Sequence, residues 1–157
     1  MLDRIILASK SKVRKEILEK HKIHCEVKPS NVDEDIVKKT LTKESASPEI
    51  ISKNLAELKA NKVSLNQKER MVIGADSVID LDGELISKPE SREEALKILK
   101  KLNGKNHFLI SSVCISKNGS MIWNYTDKAE LTMKNFSEED LKLYLSKISD
   151  EALYAYN

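Results

Sequence analysis

The first half of the chain alternates short apolar runs with stretches in which apolar residues recur at helical spacing. Such alternation is typical of strands followed by helices. Ser47 followed by Pro48 predicts the start of a helix, with serine as the N-cap and proline at the first helical position. The predicted strands and helices cover residues 4–8, 12–21, 24–27 and 48–64. The polar stretch 31–43 predicts no element.

The second half has longer apolar runs and clearer turn signals. Asp82-Gly83 and Asn118-Gly119 are dipeptides typical of hairpin turns, and each lies between two apolar runs. Ser91 and Ser137 each have an acidic residue three positions later, which predicts the N-termini of two helices. The predicted strands and helices cover residues 71–81, 91–102, 108–116, 121–133 and a last helix from 137. We therefore expect a mixed α/β fold whose second half is antiparallel.

Composition narrows the class of protein. The chain has 157 residues, 40% of them apolar, which suits one globular domain over residues 1–157, and no run is long enough to cross a membrane. A formal net charge of +2 is too balanced for a general nucleic-acid or membrane surface. Cys25 and Cys114 have no CxxC spacing, so we expect reduced thiols and, without a signal peptide, a cytoplasmic protein.

One carboxylate stands out against its apolar surroundings. Asp76 follows the run Met71 to Ala75, so the sequence predicts a strand that ends on this side chain and presents it to a cleft. A lysine, Lys88, follows the next short run, directly before Pro89. An acid and a base would then flank one hairpin, an arrangement suited to chemistry on an anion.

A second cluster of polar residues lies at the first strand-to-helix turn. Its cations fall where the helix dipole is already positive, which is unfavourable unless an anion binds there. Phosphate would satisfy the free backbone N–H groups, the hydroxyls of Ser9 and Ser11, and the cations. The cations are Lys10, Lys12, Arg14 and Lys15. On charge alone a solvated lysine-rich face explains them equally well, and the two serines favour phosphate.

Together these residues resemble the Maf family of nucleoside triphosphate pyrophosphatases. The resemblance rests on ordered motifs that cover almost the whole chain. They are Leu7 to Arg14, Pro29 to Glu34, Leu55 to Ala60, Gly74 to Ser77, Leu81 to Glu84, Ser87 to Pro89, Leu102 to His107 and Ser137 to Glu139. The family implies an elongated mixed sheet flanked by helices, similar to that of the inosine triphosphate pyrophosphatases, with two lobes around a central cleft.

The resemblance also implies an activity and its residues. The activity is hydrolysis of a nucleoside triphosphate to the monophosphate and pyrophosphate, with Asp76 as general base for the attacking water. Ser9, Ser11, Arg14, Lys59 and Lys88 would bind the phosphates. Glu34 and Asp76 would hold a divalent metal ion, and Mg²⁺ or Mn²⁺ suits carboxylate, phosphate and water ligands.

Each assignment has a purely structural alternative. Asp76 could be an ordinary turn carboxylate, and Lys88 an exposed lysine before proline. Lys59 could belong to the polar face of its helix, as most lysines at such spacing do. Glu34 lies in the run Asp33-Glu34-Asp35, where a solvated acidic loop is as good an explanation as a metal ligand.

Two departures from the family pattern bear on function. Val13 stands where many relatives have a basic residue, which leaves the preferred base open between a pyrimidine such as dTTP or UTP and a methylated nucleotide. Relatives also continue beyond residues 152–157 into a glycine-rich segment, so we expect exposed apolar surface around Leu153 and Tyr154, or a homodimer that covers it. The rival hypothesis is a truncated, catalytically silent nucleotide-binding or regulatory protein.

Overall fold

The computed structural model describes residues 5–154 and contains six strands and six helices in that range. The strands are β1 (Ile5–Leu7), β2 (Cys25–Val27), β3 (Val72–Leu81), β4 (Glu84–Ile86), β5 (Asn106–Lys117) and β6 (Ser120–Thr132). The helices are α1 (Lys12–Lys20), α2 (Glu34–Lys43), α3 (Pro48–Ser64), α4 (Arg92–Leu102), α5 (Glu138–Lys147) and α6 (Asp150–Tyr154). The mixed α/β class is confirmed. Arg4, the first residue of the predicted strand, lies outside the described residues.

All six strands form one mixed sheet in the order β2-β1-β3-β5-β6, with β4 also paired to β3. β1 is parallel to β2 and β3, whereas β3 is antiparallel to β4 and β5. The connection between the parallel strands β1 and β3 contains α1, α2 and α3, as such crossovers require. In the antiparallel second half, short turns join β3 to β4 and β5 to β6, as the sequence predicts, and α4 lies between β4 and β5.

One edge of β3 is incompletely paired. β1 pairs with it as far as Ile73, and β4 pairs with it from Ile79 onwards. Within residues 5–154 no strand pairs with residues 74–78 along this edge, while β5 covers the opposite edge from Val72 to Asp80. Asp76 therefore lies in the middle of a ten-residue strand, and the prediction that the strand ends on it is wrong. The gap between β1 and β4 is what exposes this part of β3 to other groups.

Helix α3 covers this part of β3 closely. Its N-terminus is fixed as predicted, because the Ser47 hydroxyl accepts from the amide of Ile50 and Pro48 takes the first helical position. A Cβ on Gly74 would overlap the carbonyl oxygen of Ala56 and lie 2.9 Å from the Cβ of Ala60. Glycine at 74 thus lets the helix backbone approach the strand, so polar side chains of α3 reach the strand.

Helix α2 was not predicted from the sequence. Asp33 is its N-cap and accepts from the amide of Ile36, and Glu34 begins the helix. The alternative of an acidic loop at residues 33–35 is therefore wrong. The helix buries none of its residues fully, and Ile36 is exposed, so the chain lacks the continuous apolar stripe that identifies a helix from sequence.

The β5–β6 hairpin matches its prediction. Asn118 and Gly119 both have positive φ, 52° and 84°, as a tight hairpin turn requires. Strand β6 is exposed along nearly its whole length. Trp123 and Tyr125 are exposed there and stack on each other, with ring centroids 6.2 Å apart.

The C-terminal helices form a separate small core. Leu145 of α5 and Leu153 of α6 pack against Ala95 of α4. Leu153 is buried, so the expectation of exposed apolar surface is wrong for this residue, although Tyr154 is exposed. Tyr144 of α5 is also exposed. Among the described helices none is both long and apolar enough to cross a membrane.

Candidate functional site

A buried ion cluster occupies the gap along β3. Asp76 is 3% exposed, and its Oδ1 accepts from Lys59 Nζ of α3 at 3.0 Å. The same ammonium donates to the backbone oxygen of Ala75 at 3.3 Å and forms an ion pair with Glu34 Oε1 at 2.8 Å. Three acceptors therefore surround one ammonium. Lys59 is 4% exposed, which contradicts the alternative that it belongs to a solvated polar face.

The two carboxylates of this cluster have opposite tendencies to bind a proton. Burial raises the pKa of Asp76 above its ordinary value, and the charge and hydrogen bond of Lys59 only partly oppose this. Burial acts in the same direction on Glu34, but Lys59, Lys38 and Lys88 outweigh it and leave its pKa below the ordinary value. Carboxyl groups whose pKa values are pushed apart are typical of sites that transfer protons.

The second oxygen of Asp76 has no partner. Oδ2 is buried and, among the described residues, nothing donates a hydrogen bond to it. A buried acceptor left in this state costs free energy, so such atoms usually mark the place of a water, an ion or a ligand. The side chain therefore has one oxygen held by Lys59 and one available for chemistry.

The first strand-to-helix turn brings two serine hydroxyls and one guanidinium together. Ser9 is buried, and its hydroxyl accepts from the amide of Ser11 and from Arg14 Nη1, both at 3.1 Å. Ser11 is the N-cap of α1 and accepts from the amide of Arg14. Burial lowers the pKa of Arg14, and the negative charges of Asp76 and Glu34 oppose this decrease. The guanidinium therefore interacts electrostatically with both carboxylates.

Several of these groups line one cavity of about 120 Å³. Its walls come from the β1–α1 turn, the loop after β2, the start of α2 and the middle of α3. The residues of the predicted site that line it are Ser9, Arg14, Glu34 and Lys59, together with Lys10. Elements far apart in the sequence thus bring the predicted cations and a carboxylate to one small polar cavity.

Lys88 follows β4 at the edge of the same region. Its side chain is exposed overall, and partial burial lowers its pKa, with Glu34 opposing this and Lys38, Lys59 and Arg14 adding to it. The lysine therefore lies within electrostatic range of the cluster. Of the predicted residues, Ser11 and Lys88 stand at the margin, and Ser9, Arg14, Glu34, Lys59 and Asp76 lie closer together.

A divalent cation fits the carboxylates present. Glu34 and Asp76 each bind the same ammonium, so their oxygens are close, and the second oxygen of Asp76 is unpartnered. No group of three or more histidine, cysteine, aspartate or glutamate side chains occurs in residues 5–154 that could hold a metal alone. Two carboxylates suit a hard ion such as Mg²⁺, which completes its shell with water and substrate phosphate oxygens.

Two residues of the site were not found from the sequence. The fully buried Ser52 of α3 donates from its hydroxyl to the backbone oxygen of Asp76 at 3.2 Å. Lys38 of α2 pairs with Glu34, with Nζ 3.8 Å from Oε2. Ser52 lies one turn after the cap of α3, and Lys38 lies four residues after Glu34. Recognising Lys38 required knowing that residues 34–43 are helical.

Comparison with known proteins gives a consistent relationship. A profile of the Maf-like protein family matches residues 4–154. A protein of Pelagibacter ubique named nucleoside triphosphate pyrophosphatase is 68% identical over 157 residues, which cover all of this chain and 80% of that protein. A protein of Rhizobium etli named 7-methyl-GTP pyrophosphatase is 33% identical over 153 residues, 98% of this chain and 77% of that protein.

Among solved structures, the Staphylococcus aureus Ham1 protein is similar, with a TM-score of 0.49 and 17% identity. The similarity covers 96% of this chain and 88% of that one.

Proposed function

The chain belongs to the family of Maf-like proteins, and we propose that it hydrolyses nucleoside triphosphates to the monophosphate and pyrophosphate. The observation that carries this proposal is the buried cluster of Lys59, Asp76 and Glu34 beside the small cationic cavity. A carboxylate with a raised pKa faces one with a lowered pKa, and Arg14 lies within reach of both charges. Names of the similar proteins support the same reaction class.

The proposed reaction begins with water beside the free oxygen of Asp76. As the water oxygen bonds to the α-phosphorus, Asp76 accepts its proton, and the bond from the α-phosphorus to the bridging oxygen breaks. Pyrophosphate leaves with the electron pair. Lys59 holds the other oxygen of Asp76, so the base has a fixed orientation before the reaction begins.

The departing pyrophosphate carries several negative charges. Arg14, Lys10 and the Ser9 hydroxyl line the cavity that would receive it, and Ser11 lies at its margin as the N-cap of α1. Lys88 adds positive charge within electrostatic range of Glu34. Cations placed beforehand where charge develops lower the barrier most when the site excludes water.

Glu34 and Asp76 are the residues that would hold Mg²⁺ or Mn²⁺. When bound, such an ion neutralises phosphate oxygens and orients them for in-line displacement. Whether the reaction requires such an ion is tested by measuring pyrophosphate release after EDTA is added and again after Mg²⁺ or Mn²⁺ is restored.

The reaction class is tested with a panel of standard and methylated nucleoside triphosphates in ¹⁸O-labelled water. Attack on the α-phosphorus predicts nucleoside monophosphate and pyrophosphate as products, with the label in the monophosphate. Label in inorganic phosphate, with a diphosphate as the second product, would contradict the proposal. Nucleotide binding without turnover by the folded protein would support the rival, a silent binding protein.

The panel also addresses the preferred base, which stays open between pyrimidine and methylated nucleotides. A cytoplasmic location and a homodimer stay predictions. Cys25 and Cys114 are free thiols in the part of the chain that the structure describes.

A further inference from the structure

Lys38 of α2 differs from the other lysines that pair with a glutamate one turn away on the same helix. In residues 5–154, five lysines form an ion pair with a glutamate four positions away. Four of these lysine side chains are 45–73% exposed, whereas that of Lys38 is 16% exposed. Exposed pairs of this kind contribute little, because water screens them. The burial of Lys38 therefore indicates a role beyond the stability of its helix.

The two carboxylates of the candidate site each have one firmly bound oxygen. Lys59 Nζ lies 2.8 Å from Glu34 Oε1 and 3.0 Å from Asp76 Oδ1, which are hydrogen-bond distances. The second oxygens are different. Asp76 Oδ2 has no partner among the described residues, and Glu34 Oε2 lies 3.8 Å from Lys38 Nζ, longer than a normal hydrogen bond. Lys38 thus holds Glu34 by charge and not by a direct bond.

These second oxygens are the ones that remain for a divalent cation. Lys59 can keep its own bonds when such an ion binds, but Lys38 stands beside Glu34 Oε2. Its charge acts on both carboxylates, because it lowers the pKa of Glu34 and opposes the rise in the pKa of Asp76. A lysine in this place repels a metal ion and competes with it for the same oxygen.

We propose that Lys38 is a counter-ion that neutralises Glu34 until a divalent cation replaces it, and that it thereby lowers the affinity of the site for metal. This inference rests on the proposed function, which assigns Glu34 and Asp76 to the metal. A half-buried carboxylate without a partner is costly, so Lys38 keeps the metal-free site stable. Its long flexible stem lets the ammonium move to water when the ion binds.

The test separates the charge of Lys38 from its shape. Lys38→Met removes the charge, and Lys38→Arg keeps it. Lys97→Met is the matched control, since Lys97 pairs with Glu93 at the same spacing on α4 but both side chains are exposed. The probe is Mn²⁺ alone, without nucleotide. Electron paramagnetic resonance measures free Mn²⁺, and thermal unfolding with and without Mn²⁺ gives a second reading, because binding to the folded state stabilises it.

We expect Lys38→Met to bind Mn²⁺ about tenfold more tightly or better, which corresponds to about 1.4 kcal/mol. Lys38→Arg and Lys97→Met should bind it as the unmodified protein does. Without Mn²⁺, Lys38→Met should unfold at a lower temperature, because Glu34 loses one of its two lysines. Damage to the structure would weaken stability and metal binding together, whereas loss of a counter-ion changes them in opposite directions. Adding Glu34→Gln to Lys38→Met should abolish the gain in affinity.

A folded Lys38→Met that binds Mn²⁺ no more tightly than the unmodified protein would overturn the inference. An equal gain in Lys38→Arg or Lys97→Met would do the same, and so would a gain that survives Glu34→Gln. Lys38→Gln, which is also neutral, replaces Lys38→Met if that variant does not fold. These measurements do not depend on turnover. Tighter Mn²⁺ binding by Lys38→Met, with no pyrophosphate release from the unmodified protein, would refute the proposed function and leave the inference intact.

Discussion

Two clusters in this protein have the same kinds of charged groups and opposite surroundings. In the first, Lys59 lies between Glu34 and Asp76, and its side chain is 6% exposed. In the second, Glu138 of α5 lies between Lys100 and Lys142 at 2.9 Å from each, and its side chain is 46% exposed. The distances are similar, so the difference lies in contact with water.

Exposure to water determines whether the carboxylates of each cluster can exchange a proton. The two lysines bound to Glu138 lower its pKa to about 2, so the carboxylate is ionised at any physiological pH and has no proton to exchange. In the buried cluster, burial opposes the lysine and raises the pKa of Asp76. A lysine–carboxylate contact alone is therefore no sign of a site. Burial, an unpartnered oxygen and an adjoining cavity distinguish the first cluster.

The largest expected effect comes from removing the shared cation. Lys59→Met leaves two neighbouring carboxylates without their common partner, which in buried pairs costs about 3–5 kcal/mol of stability. Activity should fall by about a hundredfold or more, because Asp76 loses its orientation. Urea denaturation and pyrophosphate release measure the two effects. Lys142→Met, the equivalent change in the exposed cluster, is the control and should leave both unchanged.

If Lys59→Met does not fold, Lys59→Arg keeps the charge with a different shape and allows activity to be measured. Unchanged pyrophosphate release in either folded variant would contradict the role given to this lysine.

The second effect is a dependence on pH. Since the folded-state pKa of Asp76 is raised, the general base is lost as pH falls through that value, and kcat/KM should fall with it. Stability changes in the opposite direction. The folded protein holds the proton more tightly, so Asp76 favours folding most at low pH and less as pH rises through the raised pKa. Activity and thermal unfolding measured across pH 4–9 check both trends.

If kcat/KM falls on the acid side with an apparent pKa at or below the ordinary aspartate value of about 3.9, the result would count against this account. Mg²⁺ is kept saturating throughout, so that loss of the metal does not imitate loss of the base.

The sequence predicts most elements of the fold because their signals are local. Capping serines, hairpin dipeptides and apolar periodicity each depend on a few neighbouring residues. Helix α2 was not predicted because none of its residues is fully buried. Its sequence therefore lacks a continuous apolar stripe at helical spacing. Local pattern picked out Asp76, Lys88 and the serines and cations of the first strand-to-helix turn, and the family resemblance added Glu34 and Lys59. Their grouping around Lys59 was beyond local reasoning, because it depends on how closely α3 packs on β3 at Gly74.

A smaller effect is expected from Ser52, which acts on Asp76 through the backbone. Ser52→Ala removes a buried hydrogen bond to the backbone oxygen of Asp76 and should cost about 1 kcal/mol of stability. If Ser52 positions the strand, kcat should fall while KM stays the same. Ser64→Ala is the matched control, since Ser64 is equally buried but bonds Asn61 and Gly119. A fall in stability without a fall in kcat would reduce Ser52 to a structural role.

The smallest effect is expected in the exposed cluster itself. Glu138→Gln removes the charge that Lys100 and Lys142 share, but exposed ion pairs contribute little because water and salt screen them. Denaturant midpoint and activity should match those of the unmodified protein at physiological salt. A clear loss of stability would show that burial does not separate the two clusters as described.

The central claim is that Asp76 is the general base, and Asp76→Asn tests it most directly. The change keeps the shape and the contact with Lys59 but removes the ability to accept a proton. Asp80→Asn is the control, since Asp80 lies on the same strand and its side chain serves the hairpin turn. We predict pyrophosphate release reduced by about a hundredfold or more in Asp76→Asn and unchanged in Asp80→Asn. Equal release from folded Asp76→Asn and the unmodified protein would contradict the claim.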